Sequence, residues 1–121
     1  MKLTVEQFYR RLSRQNGGAV NVALETDLVE MFPPRGRRRK GVRPAWELID
    51  ENRPALIDKV TYWTGVRRPT VRALVERIAR TCRERELYAD SSREPALLVE
   101  LTVFATTLAM NYLTRGRFVQ G

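Results

Sequence analysis

The sequence predicts an all-α protein, a small bundle of five or six helices, and three observations lead there. Apolar residues recur at i, i+3, i+4 and i+7 through most of the chain, which is the period of a helix buried on one side. Pro and Gly punctuate these stretches at intervals that suit short helices. The length of 121 residues and a hydrophobic share of 43% fit one domain with its own core.

Thr4 opens the first element. Thr4-Val5-Glu6-Gln7 is a T-x-x-Q capping box, in which the Thr4 and Gln7 side chains satisfy orphan backbone amides. Val5, Phe8, Tyr9 and Leu12 follow at helical spacing, Arg10, Arg11 and Arg14 take the wet side, and Asn16-Gly17-Gly18 ends the helix. Residues 19–32 read two ways. Val20, Val22 and Leu24 alternate as in a short strand, while Val20, Leu24, Leu28 and Met31 fit a helix. The apolar set extends through Phe32 and no strand partner is evident, which favours the helix.

Pro33-Pro34 stops that element, so residues 1–32 form an N-terminal helical region. Residues 33–43 then read as a flexible basic loop. Its RGRRRKGVR run holds six basic residues, Arg35, Arg37, Arg38, Arg39, Lys40 and Arg43, with no acid. Residues 44–87 form the central helical unit. Pro44 suits the first turn of a helix carrying Trp46, Leu48 and Ile49. Asn52-Arg53-Pro54 breaks or kinks it, because the residue before proline avoids the α region. Pro54 opens the next helix, to about Thr64, and Gly65-Val66 makes a tight turn. A longer helix spans about Arg68 to Leu87 on the stripe Val71, Leu74, Val75, Ile78 and Cys82, with Arg72, Arg77, Arg80 and Arg83 off it. Asp90-Ser91-Ser92 is a loop and helix start, with Glu94 three residues after Ser91.

Residues 92–114 hold the most apolar stretch. The apolar run within residues 95–114 falls a little short of the roughly 20 residues a bilayer crossing needs, and Glu100 sits in its interior. A helix apolar on most sides then belongs at the centre of a bundle or at a dimer seam. The tail RGRFVQG is basic.

The charge balance points to a polyanion. Lys and Arg number 22 against 14 acidic residues, a formal +8, and such a field reaches over a Debye length of roughly 8 Å at physiological salt. There is no His, and Cys82 is the only cysteine, so an internal disulfide is excluded and a zinc cage disfavoured. Cys82 continues the apolar stripe and reads as a small core residue. The N-terminus lacks a signal peptide's apolar run, which makes a cytoplasmic location the default. No phosphate-cradling glycine loop is present. Asp50-Glu51 and Asp58 come closest to a carboxylate cluster and read as helix-face charges, so no catalytic residue, metal or cofactor is expected.

Residues 57–76, IDKVTYWTGVRRPTVRALVE, resemble the helix-turn-helix of bacterial repressors such as the lactose-repressor family. Ile57 and Val60 can bury the first helix against the second, Gly65 tolerates the positive φ of the turn, Val66 plugs the angle, and Val71, Leu74 and Val75 pack inward. The position usually filled by Ala is Thr61, whose hydroxyl is expected to bond the carbonyl one turn earlier. Tyr62 and Trp63 make the first helix bulkier than usual, and Trp63 would pack on the N-terminal region or another subunit.

The resemblance implies that the second helix enters the major groove with Arg67, Arg68, Pro69, Arg72, Ala73 and Glu76 toward base edges. Arg72 is the foremost candidate for base contact, because arginine reads guanine through two hydrogen bonds. Thr70 and Lys59 would hold phosphates, and Glu76 would pair with Arg72 or Arg80. The basic loop would follow the backbone or enter a minor groove. The expected function is sequence-specific DNA binding and transcription regulation, with DNA favoured over RNA, a homodimer as the regulatory form, and no membrane partner. The alternative is a small basic adaptor or inhibitor of phage or plasmid type that binds a protein or a nucleoprotein complex.

Overall fold

A computed structural model describes residues 24–34 and 41–115 of the chain, with side chains over 27–34 and 41–110. The helix expected at 4–16, the loop residues Arg35, Arg37, Arg38, Arg39 and Lys40, and the basic tail lie outside the described residues.

Five α-helices and one short sheet order the described residues. They are α1 (Leu24–Met31), β1 (Val42–Pro44), α2 (Ala45–Glu51), α3 (Arg53–Thr64), α4 (Arg68–Glu84), β2 (Tyr88–Asp90), a 3-10 turn (Ser91–Arg93) and α5 (Glu94–Arg115). The mostly helical fold agrees with the expectation, and over Leu24–Met31 the helical reading of the ambiguous segment holds.

The two strands were not anticipated. β1 and β2 pair antiparallel with Val42 opposite Asp90, Arg43 opposite Ala89 and Pro44 opposite Tyr88. Pro34 adds an isolated bridge to Leu87, and the Tyr88 amide donates to the Pro33 carbonyl at 3.1 Å. The segment 87–90 therefore grips both ends of the basic run, at Pro34 and at Val42. This corrects the reading of 33–43 as a loop throughout, since Val42 and Arg43 belong to the sheet. Pro44 ends β1 and caps α2 rather than occupying its first turn.

α4 stops at Glu84, three residues before the expected end. Glu86 adopts a left-handed φ of 53°, and the Leu87 amide returns to the Cys82 carbonyl at 3.0 Å. That reversal turns Leu87 into the core and leads the chain into β2. At the start of the last helical region Asp90 supplies the cap, its carboxylate accepting from the Ser92 amide and hydroxyl. Glu94 is turned to another use, described below.

α5 is the axis of the core. Every residue from Leu101 to Ala109 is buried, and the helix packs on α1, α3, α4 and β2. Leu97, Leu101, Phe104, Ala105 and Leu108 join Leu28, Phe32, Leu48, Ile49, Val60, Leu74 and Ile78 in one cluster. Full burial of each large apolar side chain contributes about 1.5–3 kcal/mol. No helix among the described residues is long and apolar enough to cross a membrane. Thr102 and Thr107 tolerate this burial because each hydroxyl donates to the carbonyl four residues back, at 2.7 and 2.9 Å.

Candidate nucleic-acid interface

The surface of interest is built where α3 meets α4. Ile57 and Val60 are buried on the inner face of α3, as are Val71, Leu74, Val75 and Ile78 on α4, so the two helices hold each other through apolar side chains. Between them the chain turns sharply. Gly65 sits at φ 72°, its amide donates to the Thr61 carbonyl at 2.9 Å, and Val66 is 3% exposed in the angle.

Thr64 completes this turn and had no role in the sequence reading. Its hydroxyl donates to the Val60 carbonyl at 2.6 Å and accepts from the Val66 amide at 3.1 Å. One hydroxyl thus ends the helix and fixes the next residue but one, a local device that Ser and Thr beside a turn often supply. Thr61 was expected to bond the carbonyl one turn earlier. Instead its hydroxyl is buried with no hydrogen-bond partner among the described residues, and Thr64 makes that kind of bond.

α4 then begins with Arg67 in an extended conformation at the cap and Pro69 in the first turn. No side chain caps this end, although the Thr70 and Val71 amides both reach the Arg67 carbonyl, at 3.0 and 3.1 Å. Arg67, Arg68, Pro69, Arg72 and Ala73 are exposed, and Thr70 is half-buried. Lys59 is exposed on α3, one turn before Trp63. Among the described residues Lys59, Arg67 and Arg72 have no carboxylate partner.

Two of the anticipated basic contacts are occupied from within. The Arg68 guanidinium lies 2.6 Å from the Asp58 carboxylate, which ties the start of α4 to α3. Arg43 is engaged more fully. It donates to both oxygens of Glu51 at 2.6 and 3.0 Å and to both oxygens of Glu94 at 2.8 and 3.0 Å. The hydrogen bonds to Glu51, then those to Glu94, hold this guanidinium far above the usual arginine range, and Arg43 in turn holds the Glu51 carboxyl below the usual carboxylate range. Arg43 joins β1 to the last residue of α2 and the first of α5, so it is a structural tie and not part of a loop that reaches a polyanion.

Glu76 also departs from expectation. Its partner is Arg53, at 2.6 Å, rather than Arg72 or Arg80 on its own helix. Arg53 reaches Asp50 as well, at 2.8 Å, and so links α2, α3 and α4. This frees Arg72 from the carboxylate one turn away. Asp50, Glu51 and Asp58, the nearest approach to a carboxylate cluster in the sequence, each serve an arginine. No group of three His, Cys, Asp or Glu that could hold a metal ion occurs among the described residues.

At the other end of α4, Arg83 stacks on Trp46, 4.2 Å from the ring centroid, and pins the helix to α2. Among the described residues two aromatic side chains are left outside. Tyr62 is 81% exposed and Trp63 43%, and their rings meet edge to face with centroids 5.5 Å apart. No family model, curated protein or solved structure matches this chain.

Proposed function

We propose that the chain is a nucleic-acid-binding protein, a sequence-specific DNA-binding regulator that uses α3, the turn and α4 as a helix-turn-helix. The observation that carries this reading is the left-handed Gly65 with Val66 sealed beneath it, with Arg67 and Arg72 exposed at the start of α4 and without a carboxylate partner among the described residues.

The chemistry of that end supports the assignment. An α-helix carries a partial positive charge at its N-terminus, and its first amides point outward. Here Pro69 has no N–H and the Thr70 and Val71 amides are taken by the Arg67 carbonyl, which leaves the Arg68 amide, and Arg67, Arg72 and Lys59 add full charges nearby. A phosphate backbone would lie on this end while Arg72, one turn into the helix, reaches a base edge. Arg68 is assigned to holding the turn together through Asp58 and not to the ligand.

Selection from a random duplex library, followed by binding to the selected and the scrambled sequence, tests the reading. Arg72→Ala is expected to lower the preference for the selected sequence about 5- to 150-fold, as loss of one bidentate base contact does. Lys59→Ala is expected to weaken both duplexes alike. Absence of any duplex binding by the native protein at low salt would remove the proposal.

A further inference from the structure

We infer that Tyr62 and Trp63 form a stacking platform for unpaired bases, so that the preferred ligand carries a single-stranded segment beside its duplex. The inference rests on the nucleic-acid reading above and specifies the form of the ligand.

A soluble chain ordinarily buries a Trp-Tyr pair or covers it with a partner. Here both rings stand at the solvent edge of α3, at consecutive positions. The edge-to-face contact, with planes at 83°, sets the two rings against each other while most of Tyr62 and part of Trp63 stay open to solvent. Preset rings of this kind lose little freedom when a flat ligand stacks on them.

The surroundings decide what that ligand is. Lys59 lies three residues before Tyr62 and four before Trp63, so it shares their face of the helix. Arg67 follows four residues after Trp63, across the turn. Neither cation has a carboxylate partner among the described residues. Asp58, the one acid of α3, is held by Arg68. Aromatic rings between unpaired cations fit a polyanion that also offers flat apolar faces, and a single-stranded nucleic acid does both. In paired DNA the base faces are covered by their neighbours, so these rings would have nothing to stack on.

The test uses the full chain with three probes: a 20-nucleotide oligothymidine, a blunt duplex, and the same duplex with a thymidine overhang. The native protein is expected to bind the overhang duplex more tightly than the blunt one. The Tyr62→Ala/Trp63→Ala double variant is expected to lose at least about fivefold in affinity for oligothymidine and to lose the overhang preference, with blunt-duplex affinity unchanged. Tyr62→Phe/Trp63→Phe keeps the stacking surface and is expected to retain both, while an unchanged thermal transition in the alanine variant shows that folding is intact. Equal binding of oligothymidine by the native and alanine proteins overturns the inference and leaves the duplex reading standing. Failure of the native protein to bind any probe removes both. If the alanine variant instead turns a dimer into a monomer in sedimentation and binds all probes as before, the rings face a second copy and the inference is wrong.

Discussion

Arg43 and Cys82 illustrate how one side chain's surroundings decide its role. In the sequence Arg43 is the last cation of a basic run. In the fold, strand pairing at Ala89 sets it between Glu51 and Glu94, where four of its five N–H donors are used. Nothing local distinguishes it from Arg39, because both carboxylates arrive from other helices. Cys82 shows the opposite case, since its place in the apolar stripe already assigned it to the core. Burial alone pushes its thiol up from 9.0 to about 12, because a thiolate there would lose its water. At pH 8 a disulfide reagent is therefore expected to label Cys82 only as fast as the chain opens, and at once in denaturant. The same shift fixes a sign. Between pH 9 and 12 the unfolded chain ionises this thiol and the folded chain does not, so its contribution to stability is full below pH 9 and is lost as pH rises through that window. Denaturation midpoints of the native protein and Cys82→Ala across that range check it. A midpoint for the native protein that falls no faster than the variant's would contradict the assignment.

At the scale of elements, the turn between α3 and α4 depends on one backbone conformation. A Cβ at Gly65 would meet nothing within 4 Å, so an added methyl group costs only the strain of φ 72° in an L-residue. Gly65→Ala is expected to destabilise the fold by about 1–2 kcal/mol, and Gly65→Asn by less, since asparagine accepts the left-handed region more readily. Urea titration of the three proteins measures this, and an alanine variant as stable as the native chain would show that the turn relaxes to another form. The turn was legible in the sequence because glycine followed by a buried valine has a local physical meaning. So was the α4 stripe of Val71, Leu74, Val75, Ile78 and Cys82, all buried, because a long amphipathic helix repeats its signal several times. β1 and β2 were not legible. Their sequences, Val-Arg-Pro and Tyr-Ala-Asp, are too short to alternate, and one contains proline. The partner of Glu76 was missed for a related reason. Helical spacing proposes neighbours on the same helix, whereas Arg53 comes from α3.

At the scale of the whole molecule, the positive charge is divided between α4 and the sequence run from Arg35 to Lys40. The 17 residues of α4 make a rod of about 25 Å, with Arg67 and Arg72 at one end and the segment 87–90 beyond the other. That segment pairs with Pro34 and with Val42, the described residues on either side of the run from Arg35 to Lys40 in the sequence. The run and Arg72 are expected to touch different phosphates and to act independently. Each phosphate contact on duplex DNA releases counterions and steepens the fall of affinity with salt by about 0.9 in the log–log slope. Replacing Arg37, Arg38 and Arg39 with Gln is accordingly expected to flatten the salt slope by about 2–3 and to leave the ratio between selected and scrambled sequences as it was. Arg72→Ala should do the reverse, lowering that ratio with a slope change of about 1 or less. Combining the two sets should add their effects on log affinity. Salt titrations on both duplexes separate these outcomes. If the triple variant keeps the native slope, the excess of positive charge does not meet the backbone through this run. If it alters the sequence ratio, the run reads bases itself, and the division of labour between the run and α4 is wrong.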